Sequence, residues 1–308
     1  MMPSPFQFAS LAAGLILAWL LFHLAIQLGF RAKRLPEQSD PGTLGLPFAT
    51  VAIPGRARKP LFGWWLPAEN SRRSVIILHG WGSNAEQMLP LALPLHGGGY
   101  NVLLFDARNH GRSPGATFSS LPRFAEDLDA AITWLQANQS DAAASITVIG
   151  HSVGAGAALF SASRRNDLAA VVSLSTFAHP RWVTARYLRQ IRLPSPVIAL
   201  VARYVEWVIG HRFETIAPVN TIKAIPCPVL LVHGDADRAV PITDAQMIAQ
   251  SGAPGGLELL VIPGGDHDSS EHIPEYSPRL LAFLAAAEQQ QSYCAKREPE
   301  AHGPGQPG

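Results

Sequence analysis

Three side chains able to carry out nucleophilic catalysis stand just past the ends of three apolar runs. Ser152 lies in Gly150-His151-Ser152-Val153-Gly154, between Ser145-Ile146-Thr147-Val148-Ile149 and the small-residue stretch Ala155 to Phe160. Small residues on both sides of a serine allow a cramped strand-to-helix turn that lifts the hydroxyl clear of a sheet. A serine hydroxyl is a weak nucleophile at neutral pH unless an imidazole takes its proton and a carboxylate fixes the tautomer of that imidazole. Both partners occur downstream. Pro228 to Gly234 reads as a buried strand ending in the loop Asp235-Ala236-Asp237-Arg238-Ala239-Val240-Pro241. Leu257 to Ile262 reads as another, followed by Pro263-Gly264-Gly265-Asp266-His267-Asp268. Each group therefore falls at the carboxyl end of a strand, where open α/β sheets carry their sites.

Taken together these motifs resemble the α/β hydrolase superfamily, and within it the serine-aminopeptidase-like esterase branch. The resemblance covers Pro47 to Ala287 and rests also on three other segments. They are His79-Gly80-Trp81-Gly82 after Val75 to Leu78, Phe105-Asp106-Ala107-Arg108-Asn109-His110-Gly111-Arg112-Ser113, and His233-Gly234-Asp235-Ala236-Asp237-Arg238-Ala239-Val240-Pro241. It implies Ser152 as nucleophile, His267 as base and Asp237, the second carboxylate of its loop, as the acid. It further implies an oxyanion hole made by the backbone N–H groups of Trp81 and Val153, and no cofactor or metal. The implied fold is a mostly parallel central sheet with flanking helices and a helical cap insertion. The implied activity is hydrolysis of carboxylic esters through an acyl-enzyme. Thioesterase, lipase-like and peptidase activities would use the same chemistry. A non-catalytic protein of this fold that only binds a ligand is the remaining alternative.

Other polar residues in these segments read as structural. His151 adjoins the nucleophile on a tight turn that points it elsewhere, and His79, His110 and His233 suit local hydrogen bonding. Asp106 reads as an acceptor fixing its loop, Asp127 as a helix residue, and Asp266 and Asp268 as solvated loop charges. Asp235, directly after the strand end, suits capping of the turn.

The elements that must position these groups follow from periodicity. Phe48 to Ile53 and Leu61 to Leu66 read as a leading antiparallel pair, and Val75 to Leu78 and Asn101 to Phe105 as short buried strands. The segment Ala85 to Leu95 contains Pro90 and Pro94 and is expected to be kinked or broken. Leu121 to Ala137 carries Phe124, Leu128, Ile132 and Leu135 at helical spacing. The stretch 177–224 interrupts the alternation with two helices, Trp182 to Ile191 and Pro196 to Ile209, rich in apolar and aromatic residues. As the cap that the resemblance implies over the site they favour a lipophilic group on a small-molecule ester substrate; the alternative is that they only complete their own packing or touch the membrane.

Composition excludes several other classes. A net charge of +1 gives no support for nucleic-acid binding, and there is no phosphate-binding glycine loop. The two cysteines, Cys227 and Cys294, form no disulfide framework and have no metal-ligand spacing around them. The amino end differs in kind: Phe8 to Phe30 carries no formal charge, and 23 helical residues would span about 34 Å, enough for a bilayer core. A cleaved signal peptide is the competing reading, against which stand the lack of Lys or Arg ahead of the segment and of an Ala-x-Ala site before Arg31. As an uncleaved anchor the segment is followed by Arg31, Lys33 and Arg34, and the positive-inside rule then places the hydrolase domain in the cytoplasm of a single-pass membrane protein. The expected organisation is a membrane anchor and basic flank at 1–34, a linker at 35–46, the hydrolase domain at 47–287 and a polar, disordered tail at 288–308.

Overall fold

The computed structural model describes residues 5–252 and 256–297. Eight strands form one sheet: β1 (Ala49–Ile53), β2 (Leu61–Leu66), β3 (Arg73–Leu78), β4 (Asn101–Phe105), β5 (Ser145–His151), β6 (Ala170–Leu174), β7 (Val229–Gly234) and β8 (Leu257–Ile262). Their spatial order is β1-β2-β4-β3-β5-β6-β7-β8. β2 runs antiparallel to both its neighbours, and every pairing from β4 onward is parallel.

The central strands are mostly apolar because both faces of a parallel sheet are covered. Alternation along each strand divides the core between the two faces. Ile76, Leu78, Leu103 and Phe105 enter one apolar cluster, and Val75, Ile77, Val102 and Leu104 enter the other. The helices, in chain order, are α1 (Pro5–Gly29), α2 (Leu89–Gly97), α3 (Leu121–Asn138), α4 (Val153–Ala162), α5 (Pro180–Gln190), α6 (Ser195–Ile209), α7 (Phe213–Ile216), α8 (Pro218–Thr221), α9 (Ile242–Ser251) and α10 (Ile273–Arg297). α3, α4 and α9 contribute to the first cluster, and α2 and α10 to the second. Within α3, Phe124, Leu128, Ile132 and Leu135 are all fully buried, and the Ser120 hydroxyl caps the helix by accepting from the Arg123 N–H.

The proline-containing segment is broken as its sequence predicts. A 3₁₀ turn at Glu86–Met88 gives way to α2, with Pro90 in the first turn, where its missing N–H has no intrahelical role, and Pro94 inside. The expectation of a disordered tail from residue 288 needs correcting. α10 continues to Arg297, held beyond the core by an Arg73–Glu288 ion pair and a hydrogen bond from Ser145 Oγ to Gln291. Residues 298–308 lie outside the described residues.

Candidate active site

The glycines around Ser152 are set by close backbone approach. A Cβ at Gly150 would stand 2.4 Å from the Gly154 carbonyl oxygen, and one at Gly154 would stand 2.3 Å from that of His79. β5 can thus turn into α4 within one residue, and that residue carries the strain. Ser152 has φ 52° and ψ −115°, a left-handed conformation that costs a non-glycine residue of order 1–3 kcal/mol. The turn is held by the Ser152 N–H donating to the Leu174 carbonyl of the neighbouring strand, at 2.8 Å.

Ser152 Oγ lies 3.0 Å from His267 Nε2, and His267 Nδ1 lies 2.7 Å from Asp237 Oδ2. The three side chains form one hydrogen-bonded row. Of the two carboxylates on the acid loop, Asp237 meets His267. Asp235 instead accepts from the Gly264 N–H at 2.7 Å and ties the acid loop to the base loop. The two loops also touch through their backbones, with the Ala236 N–H donating to the Gly265 carbonyl. Gly234 is needed there, because a Cβ would come within 2.1 Å of that same oxygen.

Burial by itself would raise the Asp237 carboxyl, whose side chain is fully enclosed. Hydrogen bonds from His233, His267 and the Val240 N–H outweigh it and hold the group well below the ordinary carboxylate range. Its other oxygen accepts from the Ala239 and Val240 N–H groups, both at 2.8 Å, which fixes the carboxylate in place. Asp266 braces the base loop by accepting from the Asp268 and Ser269 N–H groups.

Three of the neighbouring histidines, His79, His110 and His151, are structural and are forced towards the neutral form by burial. His79 is lowered to about 4 and His110 to about 3; His151 is lowered as well. His79 accepts from the Ala107 N–H, joining the loop after β3 to the loop after β4. In that second loop Asp106 accepts from the Ala85 and Arg112 N–H groups, and Arg108 forms a buried ion pair with Asp127 of α3. His151 plays a part that its position in the sequence does not disclose. Its Nε2 lies 2.9 Å from the His267 carbonyl oxygen, linking the turn at Ser152 to the backbone of His267.

Trp81 and Val153 line the same cavity as Ser152 and His267. Val153 opens α4, where the first N–H groups of a helix have no intrahelical acceptor and carry the positive end of its dipole. Gly80 lets the preceding loop come close: a Cβ there would lie 3.1 Å from Ser152 Cβ. The cavity measures about 410 Å³ and is walled mainly by apolar side chains of the cap, among them Val183, Val205, Ile209 and Phe213. α5 is tied down by Arg186 pairing with Asp244 of α9, and α6 by Glu206, which accepts from Arg181 and from the Phe213 N–H. Neither Asp nor Glu lines the cavity among the described residues. Ile26 and Phe30, from the end of α1, do line it. Among the described residues no group of His, Cys, Asp or Glu is arranged to hold a metal ion.

A mostly parallel sheet with a strained serine at one strand end, backed by a histidine and an aspartate from later loops, defines the α/β hydrolase class. Residues 69–223, half of the chain, match the family described as serine aminopeptidase, S33. An esterase from Pyrococcus furiosus superposes with a TM-score of 0.69 at 28% identity, covering 83% of this chain and 97% of that one. A monoacylglycerol lipase of Mycolicibacterium smegmatis is 27% identical over 66% of this chain and 84% of its own length. An uncharacterized protein of Mycobacterium tuberculosis is 29% identical over 68% of this chain and 69% of its own length. The chain belongs to the serine aminopeptidase S33 family, an esterase- and lipase-like branch of the α/β hydrolases.

Proposed function

We propose that this protein is a membrane-anchored serine hydrolase that cleaves carboxylic esters with a lipophilic acyl or alkyl group. The observation that carries the reading is the hydrogen-bonded row Ser152–His267–Asp237 opening onto an apolar cavity of about 410 Å³. Ser152 Oγ attacks the ester carbonyl while His267 Nε2 takes its proton, and Asp237 steadies the resulting imidazolium. The negative charge that develops on the carbonyl oxygen is met by the N–H groups of Trp81 and Val153, fixed in place beforehand. His267 then gives its proton to the departing alcohol. A water molecule attacks the acyl-enzyme, with His267 as base once more, releasing the acid and restoring Ser152.

The absence of a carboxylate among the described cavity residues favours an ester over the aminopeptide that the family description would suggest. A substrate with a free α-ammonium group would bury that charge without a partner, at a cost of several kcal/mol. The esterase and lipase relatives support the same preference. The helix Phe6–Gly29 is long and apolar enough to cross a membrane, and Arg31, Lys33 and Arg34 behind it are exposed, which favours a cytoplasmic hydrolase domain.

Full-length protein treated with a fluorophosphonate tests the chemistry. Labelling is expected in the wild type and lost in Ser152→Ala. With a series of 4-nitrophenyl esters, kcat/KM should climb from acetate to medium chains by up to about fourfold per methylene, matching about 0.8 kcal/mol each. A folded wild type that resists the probe and hydrolyses no ester would establish the binding-protein alternative. Flat chain-length dependence would remove the lipophilic group and leave the serine chemistry standing.

A further inference from the structure

α1 does more than end near the hydrolase domain. The 16 residues from Phe6 to Leu21 are all exposed, whereas Phe22, His23, Ile26, Gln27 and Phe30 are partly covered by the domain. The cap helix α6 meets α1 through Tyr204. Tyr204 hydrogen-bonds His23 and meets Phe22 edge to face, with ring centroids 4.9 Å apart. Further along, Ile26, Gln27, Gly29, Phe30 and Arg31 form part of the wall of the cavity that holds Ser152 and His267.

The stretch of α1 exposed along its whole length, Phe6 to Leu21, is too short to cross a bilayer alone. Sixteen helical residues rise about 24 Å, against a hydrocarbon core of about 30 Å. A complete span therefore draws in the turn of α1 that lies on the cap, and the cap with it. α6 is suited to that position because it is apolar on two sides. Ile198, Val201, Ala202 and Val205 face the interior. Val197, Leu200 and Trp207 are exposed at 38%, 61% and 67% and fall, with Tyr204, on one stripe of helical spacing. A helix apolar on both faces needs a second apolar environment besides its own core. Exposed arginines border this stripe, Arg192 before the helix and Arg203 within it, as suits a surface lying among lipid headgroups.

We infer that the cavity takes its acyl chain directly from the leaflet in which α1 is embedded, with the last turns of α1 as one wall of the cavity and the Leu200–Trp207 stripe of α6 dipped into the same leaflet. The ligand class is an acyl lipid resident in the bilayer. The inference rests on the ester-hydrolase reading of this site for its chemistry, but not for its occupancy. α1 is then both the anchor and a specificity-determining part of the binding cavity.

Full-length Ser152→Ala protein in dioleoylphosphatidylcholine vesicles containing a phosphatidylcholine with a diazirine on its acyl chain tests this. After illumination, peptide mapping should find lipid attached within Phe6–Leu21 and also on the cavity wall at Ile26–Arg31 and Val205–Ile216. Leu200→Asp/Trp207→Asp should lower cavity-wall labelling at least tenfold relative to Phe6–Leu21 labelling in the same sample. Trp207→Ser serves the same purpose should the double variant not fold. Labelling confined to Phe6–Leu21, or a labelling ratio unchanged in the stripe variants, overturns the inference. Because occupancy is read without turnover, a wild type inactive on every ester alongside a labelled cavity refutes only the esterase reading. An esterase active on soluble esters with an unlabelled cavity refutes only this inference.

Discussion

Exchanging each acid-loop carboxylate for its amide separates the roles of Asp235 and Asp237, which lie two residues apart. In Asp237→Asn the Oδ1 atom can still accept from the Ala239 and Val240 N–H groups, so the loop should keep its shape. At the other position an N–H group now faces His267 Nδ1 where an acceptor stood 2.7 Å away. The imidazole responds by carrying its proton on Nε2, the nitrogen 3.0 Å from Ser152 Oγ, and can no longer accept the serine proton. The imidazolium of the transition state also loses its counter-charge. The expected loss in kcat is roughly three to five orders of magnitude, or about 4–7 kcal/mol. In Asp235→Asn the amide oxygen still accepts from the Gly264 N–H, and kcat should stay within about threefold of wild type, since Asp235 bonds that N–H and not the imidazole. Steady-state hydrolysis of 4-nitrophenyl butanoate, with far-ultraviolet circular dichroism and thermal melting on each variant, reads both effects. If folded Asp237→Asn keeps more than a tenth of the wild-type rate, or Asp235→Asn proves the more damaging, the geometric assignment of the acid is refuted.

Three further substitutions or fusions probe other parts of the structure. Gly154→Ala forces a Cβ to within 2.3 Å of the His79 carbonyl and 2.6 Å of the Leu78 carbonyl, both backbone atoms, and should cost about 3 kcal/mol or more; an unchanged Tm would contradict the close approach. Glu37, in the segment between α1 and the sheet, has its carboxyl pushed up to about 7, mainly by burial and then by the adjacent Asp106 carboxyl. A folded-state value above the unfolded one means that its contribution is fully present at acid pH and lost as pH rises. Glu37→Gln should therefore flatten the fall in urea midpoint of the wild type between about pH 5 and 8, and parallel curves would count against the reading. A reporter fused at the carboxyl terminus should behave as cytoplasmic; digestion of the domain by protease added outside intact cells would reverse the proposed topology.

Much of the fold could be read from local patterns because the central strands are short and mostly apolar, with polar or small residues at their ends. β2 and β4 match the sequence reading residue for residue, and β5 runs on by two residues only because Gly150 and His151 continue the ladder. The motif residues around Ser152, Asp237 and His267 could be located for the same reason, since each follows a strand end. Contacts between distant segments were not legible. Nothing local to His151 discloses that it reaches the His267 carbonyl 116 residues away. The apolar pattern of α1 accounts equally well for an anchor with no contact to the domain, so its place beside Tyr204 and the cavity could not be read from it. The polar residues after Ala287 suggested a tail because composition registers the missing core face. It does not register that Glu288 and Gln291 find partners at Arg73 and Ser145, the first residues of the central strands β3 and β5.

The backbone seam between the acid and base loops has a consequence for how such a protein can change. Gly234 lies against Gly265, the Ala236 N–H bonds the same residue, and Asp235 clasps Gly264, so the two loops form a single rigid clamp. Lengthening either loop by one residue would shift the acid and the base together and break the register of the whole row. Variation in what the protein accepts is therefore channelled elsewhere, into α5, α6 and the end of α1. These segments meet the cavity through side chains, and insertions or exchanges there leave the clamp untouched. Diversification along this lineage, natural or engineered, has one tolerant region and one that admits almost no change in length.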